Sequence, residues 1–188
     1  MVSLLNEITA ALEPLGSSTA SEITFESVEP HQMPEPCRSL LVHSRDMTGT
    51  LAAFWGGPLF LRPMRVRRAG EELYRQVVLV TEEAGKERAV EAGAIRIYLQ
   101  AFPDAVRELI LANHIPLGAI LSEHNIAYVS RPRSYFRTQT NDLLREAFPG
   151  DPEGIHYGRH NVLAAPDGRT LAEVVEVLPL LDERPIAD

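Results

Sequence analysis

Apolar and polar positions along this chain repeat with two different periods, and the changes of period mark out its elements. Leu4, Leu5, Ile8, Ala11 and Leu12 recur at helical spacing, which predicts a short amphipathic helix at the start. Residues 16–36 are rich in Ser, Thr, Glu and Pro, with prolines at 30, 34 and 36, and read as an extended connector. The run SLLVHSRDMTGTLAAFWG then supplies a helix with Ser44 and Asp46 as candidate caps and an end near Gly56–Gly57. Residues 59–68 alternate imperfectly around Pro63, the mark of an edge strand or a bulge. LYRQVVLVT (73–81) is apolar on both faces and β-branched, and so reads as a central strand. A turn at 82–87 leads back into AVEAGAIRIYL, closing an antiparallel hairpin. Pro103 and Asp104 open a helix that carries Val106, Leu109 and Ile110 on one stripe. A strand broken by Pro132 follows over 126–138, then a short helix over 140–148. A last hairpin turns at Pro166-Asp167-Gly168-Arg169.

Strands joined mainly by hairpins, with helices inserted between them, predict an α+β fold: a single antiparallel sheet flanked by helices. The expected organisation is an N-terminal helix and connector over 1–37 and one domain over 38–182.

Two charged residues break the strand pattern. Arg75 shares a face with Leu73, Val77 and Leu79, and a buried guanidinium must find an anion. That anion is either an internal Asp or Glu or a ligand carboxylate held by the guanidinium fork. Glu176 shares a face with Ala172, Val174 and Leu178, whereas Glu173 lies on the other. Glu176 is either Arg75's internal partner or an acid beside a bound anion, where burial would raise its pKa and let it donate a proton.

Composition narrows the field. The 188 residues are 45% hydrophobic and 23% charged, enough for one domain with a sizeable core. No apolar run reaches the length of a membrane span, and the N-terminus lacks a basic leader region. The lone Cys37 excludes an internal disulfide, making the cytoplasm the expected compartment. A net charge of −8 argues against a nucleic-acid partner. Arginines still cluster at 62, 65, 67 and 68 and at 131, 133 and 137, read as solvated stripes or as a focused anion cleft. The histidines at 31, 43, 114, 124, 156 and 160 lack metal-ligand spacing, and no phosphate loop or nucleophile elbow is present. Neither a metal nor another cofactor is expected. Pro116-Leu117-Gly118 is a turn whose backbone N–H groups could receive a carboxylate, or a plain helix-to-helix turn.

Six segments taken in order carry a resemblance: SLLVHSRDMTGTL, LYRQVVLV, EAGAIRIYL, PLGAIL, YGRHNVL and GRTLAEVVEVLP. Across roughly residues 38–180 the chain resembles the chorismate pyruvate-lyases. The resemblance implies a carbon–oxygen lyase that needs no cofactor and eliminates pyruvate from chorismate to leave 4-hydroxybenzoate. It implies Arg75 and Glu176 as catalytic residues, with Arg75 on a carboxylate of a dianionic substrate and Glu176 beside the leaving ether. Met47, Thr48, Leu117 and Gly118 would line the substrate pocket. One residue of slip in the last segment would exchange Glu176 for Glu173. SRPRSYFR at 130–137 is more basic than the family pattern. The rival reading is a non-catalytic module for small aromatic carboxylic acids, since the same fold serves as the effector domain of some transcription regulators. The N-terminal segment reads as too short and too acidic to carry a DNA-binding domain.

Overall fold

The computed structural model describes residues 25–181, so the helix expected at 4–12 lies outside the described residues. The strands are β1 (Glu26–Ser27), β2 (Phe60–Ala69), β3 (Glu72–Glu83), β4 (Lys86–Tyr98), β5 (Val129–Gln139), β6 (Ile155–Ala164) and β7 (Thr170–Val177). The α-helices are α1 (Cys37–Leu41), α2 (Met47–Trp55), α3 (Asp104–Ala112), α4 (Leu117–Glu123) and α5 (Asp142–Ala147). The strands form one seven-stranded sheet in the order β1-β5-β6-β7-β4-β3-β2, and every neighbouring pair is antiparallel. The α+β antiparallel architecture predicted from the pattern is the one observed.

Local chemistry explains the element ends. Asp46 rather than Ser44 caps α2, its Oδ2 accepting from the Gly49 N–H at 2.5 Å, and Gly56 ends the helix at φ 73°. Ala84 (φ 52°) and Gly85 (φ 77°) make the two-residue turn between β3 and β4, the twist that suits a tight hairpin. Both strand prolines are absorbed by irregular register: β2 shifts between Pro63 and Arg65, and β5 between Pro132 and Ser134.

Alternation assigns the two faces of the sheet. On one, Leu73, Ile95, Ile97 and Val174 pack with Val106, Ile110, Ile120 and Leu121 of α3 and α4. On the other, Val78, Phe136, Val175 and Val177 pack with Leu144 and Phe148 at α5. A third cluster joins Leu40, Leu41 and Leu51 to Leu79 and Leu178. Val28, Met33 and Cys37 belong to it, so the later part of the segment read as a connector is packed into the core. The surface arginines take surface partners: Arg62 meets Glu87 at 2.6 Å, Arg65 meets Glu146 at 2.8 Å and Arg137 meets Glu26 at 2.7 Å.

Candidate functional site: a polarised cavity on the sheet

The face that carries Arg75 is not fully filled. A cavity of about 70 Å³ lies between it and the starts of α2 and α4, room for a few waters, so that a ring-sized ligand needs its walls to move apart. Its floor is Arg75, Val77 and Leu79 of β3, Glu91, Gly93 and Ile95 of β4, and Val174 and Glu176 of β7. Met47 and Thr48 reach it from the first turn of α2, Leu117 and Gly118 from the first turn of α4. All six residues expected at a site therefore border one space. The Pro116 turn is a helix start, with Leu117 and Gly118 as its first residues.

Arg75 is 1% exposed and makes no ion pair among the described residues. Its Nη1 donates a long hydrogen bond of 3.4 Å to Asn113 Oδ1, and its Nε has no partner. Asn113 is held there because it ends α3 in the left-handed conformation, φ 56°. Burial pulls the guanidinium down to about 10, and no carboxylate stands near enough to pull it back. Arg75 and Glu176 do not pair with each other.

Glu176 pairs instead with Arg159 of β6, which is wholly buried. Arg159 also donates from Nη1 to the carbonyls of Leu41 and His43, each at 3.0 Å, tying the segment after α1 to the sheet. Burial raises the pKa of Glu176 while the Arg159 guanidinium opposes the rise. Glu91 is 4% exposed, its Oε2 has no partner, and its Oε1 leans over Gly93, 3.3 Å from where a Cβ would sit. Full burial, followed by the Glu176 charge, pushes Glu91 well above the usual carboxylate range. Asp46 completes this end: Tyr128 donates to its Oδ1 at 3.2 Å, and the same oxygen lies 2.6 Å from where a Cβ on Gly118 would stand. The cavity thus has a buried guanidinium at Arg75 and a group of acids at Asp46, Glu91 and Glu176, with the exposed Arg45 bordering it beside Asp46.

Glu173 lies away from the cavity, accepting from Tyr98 at 3.0 Å and facing Arg96 at 3.7 Å. The sequence reading missed Glu91, Arg159 and Asp46's place at the cavity. For Glu91 a signal existed, since alternation from Ile95 through Gly93 puts it on the Arg75 face. For Arg159 the partner is remote in sequence, and periodicity names no partners.

The fold is the chorismate lyase-like one. The chain is similar to PhnF from Mycobacterium smegmatis, with 12% identity and a TM-score of 0.55 over 76% of this chain and 71% of that one. It is also similar to the ligand-binding domain of a proposed GntR-family transcriptional regulator from Bordetella bronchiseptica. There the identity is 14% and the TM-score 0.50, over 69% of this chain and 90% of that one. No protein-family model and no curated protein matches the sequence. These likenesses correct the expectation of a carbon–oxygen lyase: the fold is matched by regulator ligand-binding domains. The residue expected as the acid at a leaving group, Glu176, is already engaged by Arg159. No helix among the described residues is long and apolar enough to cross a membrane.

Proposed function

We propose that this chain is a non-catalytic binding module for small aromatic carboxylic acids, with Arg75 as the anchor for the ligand carboxylate. One observation carries the reading: a fully buried guanidinium with an unpartnered Nε borders a cavity and has no counter-charge among the described residues. An unpaired buried charge costs several kcal/mol, so a carboxylate arriving there recovers energy that the empty site forgoes. The apolar floor of Val77, Ile95 and Val174, with Leu117 above, suits a flat ring. Met47 and Thr48 would close over the ring, and the helix starts at α2 and α4 would set the entrance. The regulator ligand-binding domain with the same fold makes this reading the natural one.

Titration calorimetry with a panel of benzoates on wild type and Arg75→Met tests it. Saturable binding is expected to wild type, weakened at least about a hundredfold in the variant, as for loss of a charged hydrogen-bond pair. Absence of saturable binding for every aromatic acid in the panel would overturn the reading.

A further inference from the structure

The C-terminal end of α3 meets Arg75, and that contact bears on how strongly the guanidinium takes an anion. Resting on the binding role proposed above, we infer that Asn113 is the positioning residue of the anion site. It holds Arg75 by a neutral amide at a place where an acid would close the site to ligands.

Packing brings the two residues together. Ile110, in the last turn of α3, is wholly buried in the cluster that contains Leu73 and Ile95. Arg75 follows Leu73 by two positions on the same strand face and stands opposite Ile95. The helix stops at Asn113, at φ 56° and ψ 31°, where the backbone N–H donates to the Ile110 carbonyl at 3.3 Å. The amide is fixed in its orientation: Nδ2 donates to the Leu111 carbonyl at 2.7 Å, which leaves Oδ1 for Arg75 Nη1. Arg75 borders the cavity and Asn113 does not, so the amide acts on a ligand only through the guanidinium.

Backbone conformation restricts what position 113 can carry. The left-handed region favours glycine, asparagine and aspartate, because other side chains crowd the following carbonyl there. These three differ in what they offer Arg75. Glycine offers nothing, and the guanidinium would lose the hydrogen bond that directs it. Aspartate would bring a full counter-charge, and a carboxylate fixed in the chain would occupy the guanidinium before any ligand arrived. Asparagine supplies an acceptor without a charge. Its bond to Arg75 is long at 3.4 Å, so it directs the guanidinium while leaving the charge itself unanswered. The same turn leads through His114 and Ile115 to Pro116 and the start of α4, whose Leu117 and Gly118 border the cavity. One residue thus bears on both the strength of the anion seat and the path of the helix beside it.

Asn113→Asp and Asn113→Gly test this on the whole chain, since both put a residue suited to the left-handed turn at that place. Calorimetry with the panel of benzoates is paired with thermal unfolding of the ligand-free proteins. Asn113→Asp is expected to weaken the tightest-binding benzoate at least about thirtyfold, while its unfolding midpoint is kept or raised. The helix dipole and the lost Nδ2 bond work against the new acid, but relief of an unpaired buried charge outweighs both. Asn113→Gly is expected to weaken the same benzoate only about threefold, with no rise in midpoint. Loss of affinity without loss of stability in Asn113→Asp separates positioning from a structural role, in which both would fall together. Affinity within about threefold of wild type in Asn113→Asp, or a loss accompanied by a lowered midpoint, overturns the inference and leaves the Arg75 anchor standing. An equal loss in Asn113→Gly also overturns it, since charge would then not be the cause. If no benzoate in the panel binds wild type, the binding role itself falls, and this inference with it.

Discussion

At the scale of single residues, two buried arginines show how context divides function from structure. Arg159 is wholly buried but charge-paired: Glu176 takes its Nε and two backbone carbonyls take its Nη1, leaving only Nη2 without a partner. Arg75, equally hidden, is answered by one long bond to Asn113. Desolvating a guanidinium without a counter-charge is unfavourable, so the chain holds Arg75 at the expense of its own stability. Replacing Arg75 with methionine, of comparable reach, should therefore raise the unfolding free energy of the ligand-free chain by about 2 kcal/mol. Urea denaturation checks this. A destabilised Arg75→Met would mean that the guanidinium serves packing rather than a ligand. Function and stability pull apart at such a position, as expected where a site awaits a partner.

Among the elements, β6 and β7 are set by close approach. Gly158 lies opposite Phe136 on β5 and Val177 on β7. A Cβ there would stand 2.5 Å from both the Phe136 ring and the Glu176 carbonyl oxygen. Gly158→Ala must push apart strands that also carry Arg159 and Glu176, and overpacking of this kind costs about 2 kcal/mol or more. Thermal unfolding of Gly158→Ala should show a clearly lowered midpoint; an unchanged one would contradict the close packing. Pro132 illustrates the opposite freedom. β1 covers β5 only at Phe136 and Arg137, so among the described residues the outer side of Pro132 faces no strand, an edge position of the kind where proline is tolerated.

For the molecule as a whole, buried histidines give a sign to its pH dependence. His160 is 9% exposed with Nε2 unpartnered, and burial, aided by the Arg133 charge, draws it from 6.5 down to about 4. His43 and His156 are lowered too, in each case mainly by burial. Below pH 6.5 the unfolded chain takes up protons that the folded chain refuses, so stability is lost as pH falls from 6.5 toward 4. Discounting for partial solvent access, His160 alone should contribute a loss of about 1–2 kcal/mol over that window. Comparing wild type with His160→Gln by denaturation at pH 7 and pH 4 measures it; parallel losses in both would refute the assignment.

Much of this architecture was written locally. Period-two alternation put Arg75 and Glu176 on inward faces, Asp46 and Gly56 bounded α2, and prolines 63 and 132 marked irregular strands. Such features depend on neighbours within a few residues, so a linear reading reaches them. What a buried charge pairs with depends on strand order, which joins residues far apart in the chain. Arg159 meets Glu176 only because β6 lies beside β7, and Glu91 joins their acidic end only because β4 lies on β7's other side. Strand order also left Arg75 without an acid among the described residues, which supports the proposed ligand anchor over an internal pair. The same placement filled the far end with carboxyl groups. A resemblance in sequence motifs suggested a lyase for a dianion; the tertiary structure built a cavity beside a buried guanidinium that no described acid answers.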